Sequence, residues 1–266
     1  VGRNYDEFTP AQQRNVARMT WAYRIKRAAD GSIARFKARL CARGDTQEYG
    51  ITYNRTHAPV VQRTTQQLIV NLTVQLNLIP ENDDATQAYL NSDLPEPIPV
   101  KLPDGMTIDG KEYALANKAV YGLRQAGYWW SKLSHKNVMT AEPRFIRSLA
   151  DPCFYFIFDG PLIVLMAVNV DDYFVAHNDP AWHAEFISNY CKTGTELVGE
   201  GICKRWFGVN YDWIKDDSGK LISVRMTQGP DILAAIGVFG LLNATTAPSP
   251  MDSGYDSTPV PDTPDY

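Results

Sequence analysis

The sequence predicts an α+β chain, and three observations make the prediction. Residues 21–43 hold two alternating apolar and cationic runs on either side of Asp30-Gly31, which is the pattern of a β-hairpin. Residues 153–177 hold three short apolar runs separated by turn residues, which is the pattern of an antiparallel meander. Residues 64–78 and 128–140 instead repeat their apolar side chains at helical spacing.

Taken in order, the first fifteen or so residues are polar and read as loose, with residues 1–18 set apart as an N-terminal segment. The hairpin follows from Trp21, and its alternation places the cations on one face. In residues 64–78, Leu68, Ile69, Leu72 and Leu76 share a helical stripe that Thr64 or Thr65 can cap. A short strand then ends at Asp83-Asp84, and a second helical stretch runs from about Ala85 to Leu90. Residues 94–118 are rich in Pro and Gly and read as loops and short strands. In the meander, Phe154–Phe158 is the first strand, Asp159-Gly160 a turn, and Leu162–Val168 the second strand. Asn169-Val170-Asp171-Asp172 makes the second turn, and Tyr173–Ala176 the third strand. The last 24 residues or so are rich in Pro, Ser, Thr and Asp, the composition of a disordered tail, taken as 252–266.

The bulk numbers narrow the function classes. Of the 266 residues, 44% are hydrophobic and 21% charged, enough to bury a core. The apolar stretch 154–168 is cut by Asp159-Gly160-Pro161, so neither half reaches the roughly 20 residues of a membrane helix. No cationic, apolar leader opens the sequence, and a soluble, intracellular protein is expected, in a cytoplasmic particle or the nucleus. Cys41, Cys153, Cys191 and Cys203 form no Cys-x-x-Cys pair, and His57, His135, His177 and His183 are scattered; reduced structural thiols and no zinc site are expected. The net charge of −4 is uneven: residues 1–60 carry eleven basic side chains against five acidic ones. A basic arm on an acidic body suits a phosphate backbone, and it equally suits a solvated surface.

The chemistry-bearing feature is Asp171-Asp172 at the tip of a buried hairpin. Like charges side by side repel more strongly as water is excluded, and bridging cations remove the repulsion. Two Mg²⁺ ions about 4 Å apart can activate an attacking hydroxyl and stabilise a leaving pyrophosphate. That chemistry needs a further carboxylate from another strand, and Asp84 ends one. The same Asp-Asp pair also suits a plain turn.

Eight blocks in order now bear on the choice: Trp21–Gly31, Lys37–Gly50, Ala58-Pro59-Val60-Val61, Asp84–Leu94, Ala119–Trp130, Ala150–Tyr155, Asn169–Asp172 and Trp206–Val209. Together they resemble copia-type retrotransposon reverse transcriptases, from Trp21 to about Met251. The resemblance implies a right-hand polymerase fold: residues 19–209 as fingers and palm, with an antiparallel palm sheet backed by helices, and 210–251 as the start of a thumb or connection. It implies Asp84, Asp171 and Asp172 as catalytic metal ligands for two Mg²⁺ ions, with Mn²⁺ as a substitute. Lys37 and Arg39 would close over the incoming triphosphate, and the Ala85 carbonyl would add a ligand. Tyr89 would lie beneath the incoming sugar and exclude a 2′-hydroxyl. Tyr121, Gly122, Arg124 and Gln125 would pack against nucleotide and template, and Phe207-Gly208 would grip the primer end.

Asn169, Gly127, Asp45 and His57 depart from the family, which has Tyr, Pro, Phe and Phe at those positions. The implied function is RNA-directed DNA synthesis, adding deoxynucleotides to a primer 3′-hydroxyl on an RNA or DNA template. Implied partners are primer-template, dNTPs and other parts of a Pol polyprotein such as ribonuclease H and integrase, with no membrane. The rival readings are a retroelement relic that at most binds nucleic acid, and a subunit completed by a partner chain.

Overall fold

A computed structural model describes residues 1–27, 32–241, 243 and 244. The expected hairpin tip at Asp30-Gly31 and the expected tail at 252–266 lie outside the described residues. The chain divides into a unit from Val1 to Met226 and a second from Thr227 onward.

The segment expected to be loose is structured. Strand β1 (Gly2–Arg3) is followed by helix α1 (Pro10–Arg14), which opens on a reciprocal cap between Thr9 and Gln12. Lys111 Nζ holds Glu7 at 2.7 Å, and Phe8 is buried. These tertiary partners replace the local periodicity that the segment lacks.

The rest of the chain then runs β2 (Ala17–Arg27), β3 (Ile33–Ala42), α2 (Arg63–Gln75), β4 (Ile79–Ala85), β5 (Asp93–Lys101) and β6 (Tyr113–Lys118). Next come α3 (Ala126–Ala141), β7 (Ile146–Arg147), β8 (Phe154–Asp159), β9 (Leu162–Asn169), β10 (Asp172–His177) and α4 (Pro180–Cys191). The chain continues through β11 (Leu197–Ile202), β12 (Arg205–Trp206), β13 (Val209–Lys215), β14 (Leu221–Thr227) and, in the second unit, α5 (Gly229–Val238). The helical stretch expected at 85–90 is a short 3₁₀ turn over Ala88–Asn91, because β4 continues through Ala85.

The strands form a five-stranded sheet ordered β1-β6-β5-β2-β3, a six-stranded sheet ordered β11-β4-β10-β9-β8-β7, and a small sheet of β12, β13 and β14. The six-stranded sheet is the centre of the first unit. On one face, Trp130 and Val138 of α3 and Trp182, Phe186 and Tyr190 of α4 cover Tyr155, Met166, Tyr173 and Val175. On the other, Ile69 and Val70 of α2 join Trp206 and Tyr211 over Leu165, Ala167 and Phe174. Position 210, where the sequence suggests a change of domain, falls inside β13, and Tyr211 packs into this core.

In the β2–β3 hairpin, Ile25 stands opposite Phe36 and Arg24 opposite Lys37. Period-two alternation therefore separates an apolar face from a cationic one. Trp21, Tyr23, Ile25 and Phe36 are exposed. The four cysteines are free, and Cys153 and Cys203 are buried. Among the described residues, no helix is long and apolar enough to cross a membrane.

Candidate active site

The strand register brings the three carboxylates to one end of the six-stranded sheet. Asp84 stands directly opposite Asp172 in the β4–β10 pairing, which sets such Cβ atoms about 4.5–5.5 Å apart. Asp171 sits in the turn between β9 and β10, and its carbonyl accepts the Ala85 backbone N–H at 2.7 Å. All three side chains are partly exposed.

That turn is strained. Val170 has φ +61°, a left-handed conformation that a β-branched residue adopts only at a cost of about 1–3 kcal/mol. Two contacts hold it: the Ala85–Asp171 hydrogen bond, and the Trp130 indole N–H donating to the Val170 carbonyl at 2.7 Å. Beneath the turn lies a 180 Å³ cavity lined by Tyr89, Gly127, Trp130, Ser134 and Val170 among others. Below it, Tyr173 Oη bonds Ser134 Oγ at 2.7 Å and Tyr190 Oη at 2.8 Å, so β10 is tied to α3 and α4.

Negative charge accumulates here. Burial pushes the Asp172 carboxyl up to about 7, and Asp171, Glu200, Asp84 and Asp83 add repulsion. Glu200 reaches the cluster because β11 bulges between Gly199 and Gly201 where it pairs with β4. A set of hard carboxylate oxygens that repel one another fits Mg²⁺.

The neighbouring residues arrive from the five-stranded sheet and its connections. Tyr89 and Tyr121 meet edge to face at 4.9 Å, and the Arg39 guanidinium lies 5.0 Å from the Tyr121 ring. Burial raises the Tyr89 hydroxyl pKa, and Asp171 adds to the shift. The Tyr121 pKa is raised too, by burial first, with Arg39 opposing and Asp171 and Asp84 adding. These rings and Arg39 thus share the field of the carboxylates. Lys37, two residues along β3, lies on the same strand face as Arg39. Gly122 has φ +90°, and a Cβ there would collide with the Ala42 carbonyl oxygen, so only glycine permits this crossing of Tyr121–Gly122 over β3.

The structure places Arg124 and Gln125 against the loop at 44–53. Arg124 Nε donates to the Gly44 carbonyl at 2.7 Å, and the Gln125 side chain bonds Gln47 and Thr52. Phe207 and Gly208, both at positive φ, form the two-residue turn between β12 and β13. Asn82 Nδ2 of β4 donates to the Arg205 carbonyl at 2.9 Å, tethering that hairpin beside Asp84.

The histidines correct the expectation of a scattered set. His177 and His183 stack at 4.8 Å between ring centroids, and both contact Glu81. His177 ends β10 and His183 opens α4, so a strand-to-helix turn closes six residues of separation into contact. Glu200, Trp130 and the histidines were missed. The available signals were the Glu81-Asn82-Asp83-Asp84 run on a strand flanked by apolar residues, and the Asp179-Pro180 cap between the two histidines.

Comparison with known proteins fits this geometry. A family model described as reverse transcriptase (RNA-dependent DNA polymerase) matches residues 5–251. The chain is 30% identical over 176 residues to the retrovirus-related Pol polyprotein from transposon TNT 1-94 of Nicotiana tabacum, covering 65% of this chain and 13% of that protein. It is 28% identical over 250 residues to the corresponding polyprotein from transposon RE1 of Arabidopsis thaliana, covering 92% of this chain and 17% of that one. It thus spans less than a fifth of each of these two polyproteins.

Proposed function

Because the chain belongs to the reverse transcriptase (RNA-dependent DNA polymerase) family, we propose that it carries the RNA-directed DNA polymerase site of a copia-type retroelement. The observation that supports this most is the register that sets Asp84 opposite Asp172 with Asp171 in the adjoining turn. Divalent cations bound there would neutralise the cluster and supply the activation of a primer 3′-hydroxyl.

The chain's own residues do the rest. Asp84, Asp171 and Asp172 would hold the cations, and the two contacts on the Val170 turn fix where Asp171 stands. Arg39 and Lys37 offer charge-assisted hydrogen bonds to triphosphate oxygens. Tyr89, braced edge to face by Tyr121, forms the floor under the incoming sugar and excludes a 2′-hydroxyl by bulk. The Phe207-Gly208 turn, tethered to β4, positions the primer end. In this reading the five-stranded sheet is the fingers, the six-stranded sheet the palm, and β13–β14 lead toward a thumb.

A second reading is a relic that binds nucleic acid without copying it. Asn169 favours it, because that side chain pairs across from Asp172 where the family carries a tyrosine. Primer extension separates the two. The polymerase reading expects Mg²⁺-dependent extension of a DNA primer on an RNA template. Folded protein with no incorporation and no Mg²⁺-dependent nucleotide binding establishes the relic.

A further inference from the structure

Strand β4 carries acids on both faces. Asp84 shares its face with Asn82, while Glu81 and Asp83 project to the opposite face, toward α4. There His177 Nε2 and His183 Nδ1 both lie 2.7 Å from Glu81 Oε2, and His183 Nε2 lies 3.0 Å from Asp83 Oδ2. His177 and Asp83 are wholly buried, and His183 nearly so.

Protons alone satisfy this cluster poorly. Each short contact between nitrogen and carboxylate oxygen needs a bridging proton, so three contacts take three protons and make either His183 an imidazolium or Asp83 a neutral acid. His177 Nδ1 and Asp83 Oδ1 then remain buried with no hydrogen-bond partner. Either arrangement also leaves one net negative charge in a largely buried cluster, which is costly.

We infer that Glu81, His177 and His183 bind a first-row transition-metal dication such as Zn²⁺, at a site separate from the catalytic carboxylates. Their ligand atoms all lie within 4.8 Å of one another. Separations from 2.7 Å to that limit bracket the roughly 3.3 Å expected between ligands at tetrahedral Zn²⁺ with bonds of about 2.0–2.1 Å. Two imidazoles and one carboxylate favour such a metal over Mg²⁺. Asp83 completes the pattern, since a metal-bound imidazole donates its other N–H to a carboxylate, here His183 Nε2–H to Asp83. Glu81 keeps 21% side-chain exposure, which leaves a route for the ion and a fourth ligand from water. Because the ligands come from β4, β10 and α4, the metal pins together the two strands that carry Asp84 and Asp172.

The test uses the full chain and Zn²⁺ or Co²⁺ alone. Wild-type protein, purified without chelator, is expected to retain about one equivalent of Zn²⁺ by elemental analysis. Co²⁺ should give the visible absorption of a four-coordinate site, and added Zn²⁺ should raise Tm. His177→Gln and Glu81→Gln should each weaken binding at least about tenfold, while Asp84→Asn and Asp171→Asn retain the metal. Should a histidine variant fail to fold, ¹⁵N shifts of the wild-type imidazoles on adding Zn²⁺ decide the matter: His177 Nε2 and His183 Nδ1 should move. Folded wild type with no retained Zn²⁺, no Co²⁺ spectrum and no Tm change overturns the site and leaves a proton-bridged cluster. Loss of the metal in Asp84→Asn would overturn it equally, assigning the ion to the catalytic carboxylates.

Discussion

The two ends of β9 close on turns that solve the same steric problem in opposite ways. At the β8–β9 end, Gly160 takes φ +55° in open space with nothing within 4 Å of where a Cβ would stand. At the β9–β10 end, Val170 takes φ +61° despite its branched side chain, and Trp130 and Ala85 hold it there. Both turns carry acids, Asp159 at one and Asp171-Asp172 at the other. Asp159 is matched by the Arg144 guanidinium at 3.2 Å, whereas Asp171 and Asp172 face other acids. One turn is relaxed and charge-balanced; the other is strained and charge-loaded. A sheet that needed only to fold would have two of the first kind, and strain held in place by its surroundings is the kind that clusters at functional sites, which supports the proposed polymerase site.

The largest effect should come from exchanging the matched acids one at a time. Asp171→Asn is expected to reduce primer extension more than about a hundredfold, beyond what loss of a group supporting a metal site costs. Asp159→Asn should leave extension within about twofold, since an exposed ion pair contributes about 0–1 kcal/mol. Equal losses in the two variants would erase the contrast.

Trp130→Phe tests the clamp. The partly buried Val170 carbonyl loses its donor, and chemical denaturation should show a loss of about 1 kcal/mol. Extension should fall as well, because Asp171 follows the turn. Unchanged stability would mean that Trp130 does not restrain Val170.

Glu142 supports the relaxed end. Burial alone would raise its carboxyl pKa, but the Arg144 guanidinium, the Trp182 indole N–H and the Arg144 backbone outweigh burial and lower it. A folded pKa below the ordinary 4.5 contributes stability that is complete above that value and fades as pH falls through the depressed one. Glu142→Gln should therefore cost about 2 kcal/mol at neutral pH and flatten the acid limb of the stability profile below pH about 4.5. A parallel downward shift with no flattening would assign the loss to packing.

The smallest pair should differ in sign. Gly160→Ala is expected to cost about 1–2 kcal/mol from conformation alone. Val170→Gly should relieve strain and change stability by less than about 1 kcal/mol in the favourable direction, with relief partly offset by the greater freedom of the unfolded chain. Destabilisation by both would show that Val170 contributes more by packing than it costs by conformation.

How far the sequence exposed this molecule depends on how local each feature is. The meander at 153–177 follows from side-chain alternation, and the helices read at 64–78 and 128–140 follow from helical spacing. The structure has the meander there, and helices over Arg63–Gln75 and Ala126–Ala141, the first ending three residues early. Asp84, Asp171 and Asp172 were legible because ordered motifs flank them. The His177–His183–Glu81 contacts were not, since nearly a hundred positions separate Glu81 from His177 and only the β4–β10 register joins them. Glu200 was hidden for a related reason, as a bulge has no period to read. Val170 was hidden because valine is not a residue that announces a left-handed turn.

The acids of β4 have one more consequence, and it concerns register. A slip of one residue exchanges the two faces of a strand. In β4 that slip would still present an acid beside Asp172, because Asp83 would stand where Asp84 belongs. The carboxylate face therefore does not distinguish the right pairing from its nearest error. The histidine face does, since Glu81 would lose both imidazoles and Pro80 would take its place opposite them. The contacts of His177 and His183 with Glu81 thus tell the two alignments apart where the carboxylate face does not.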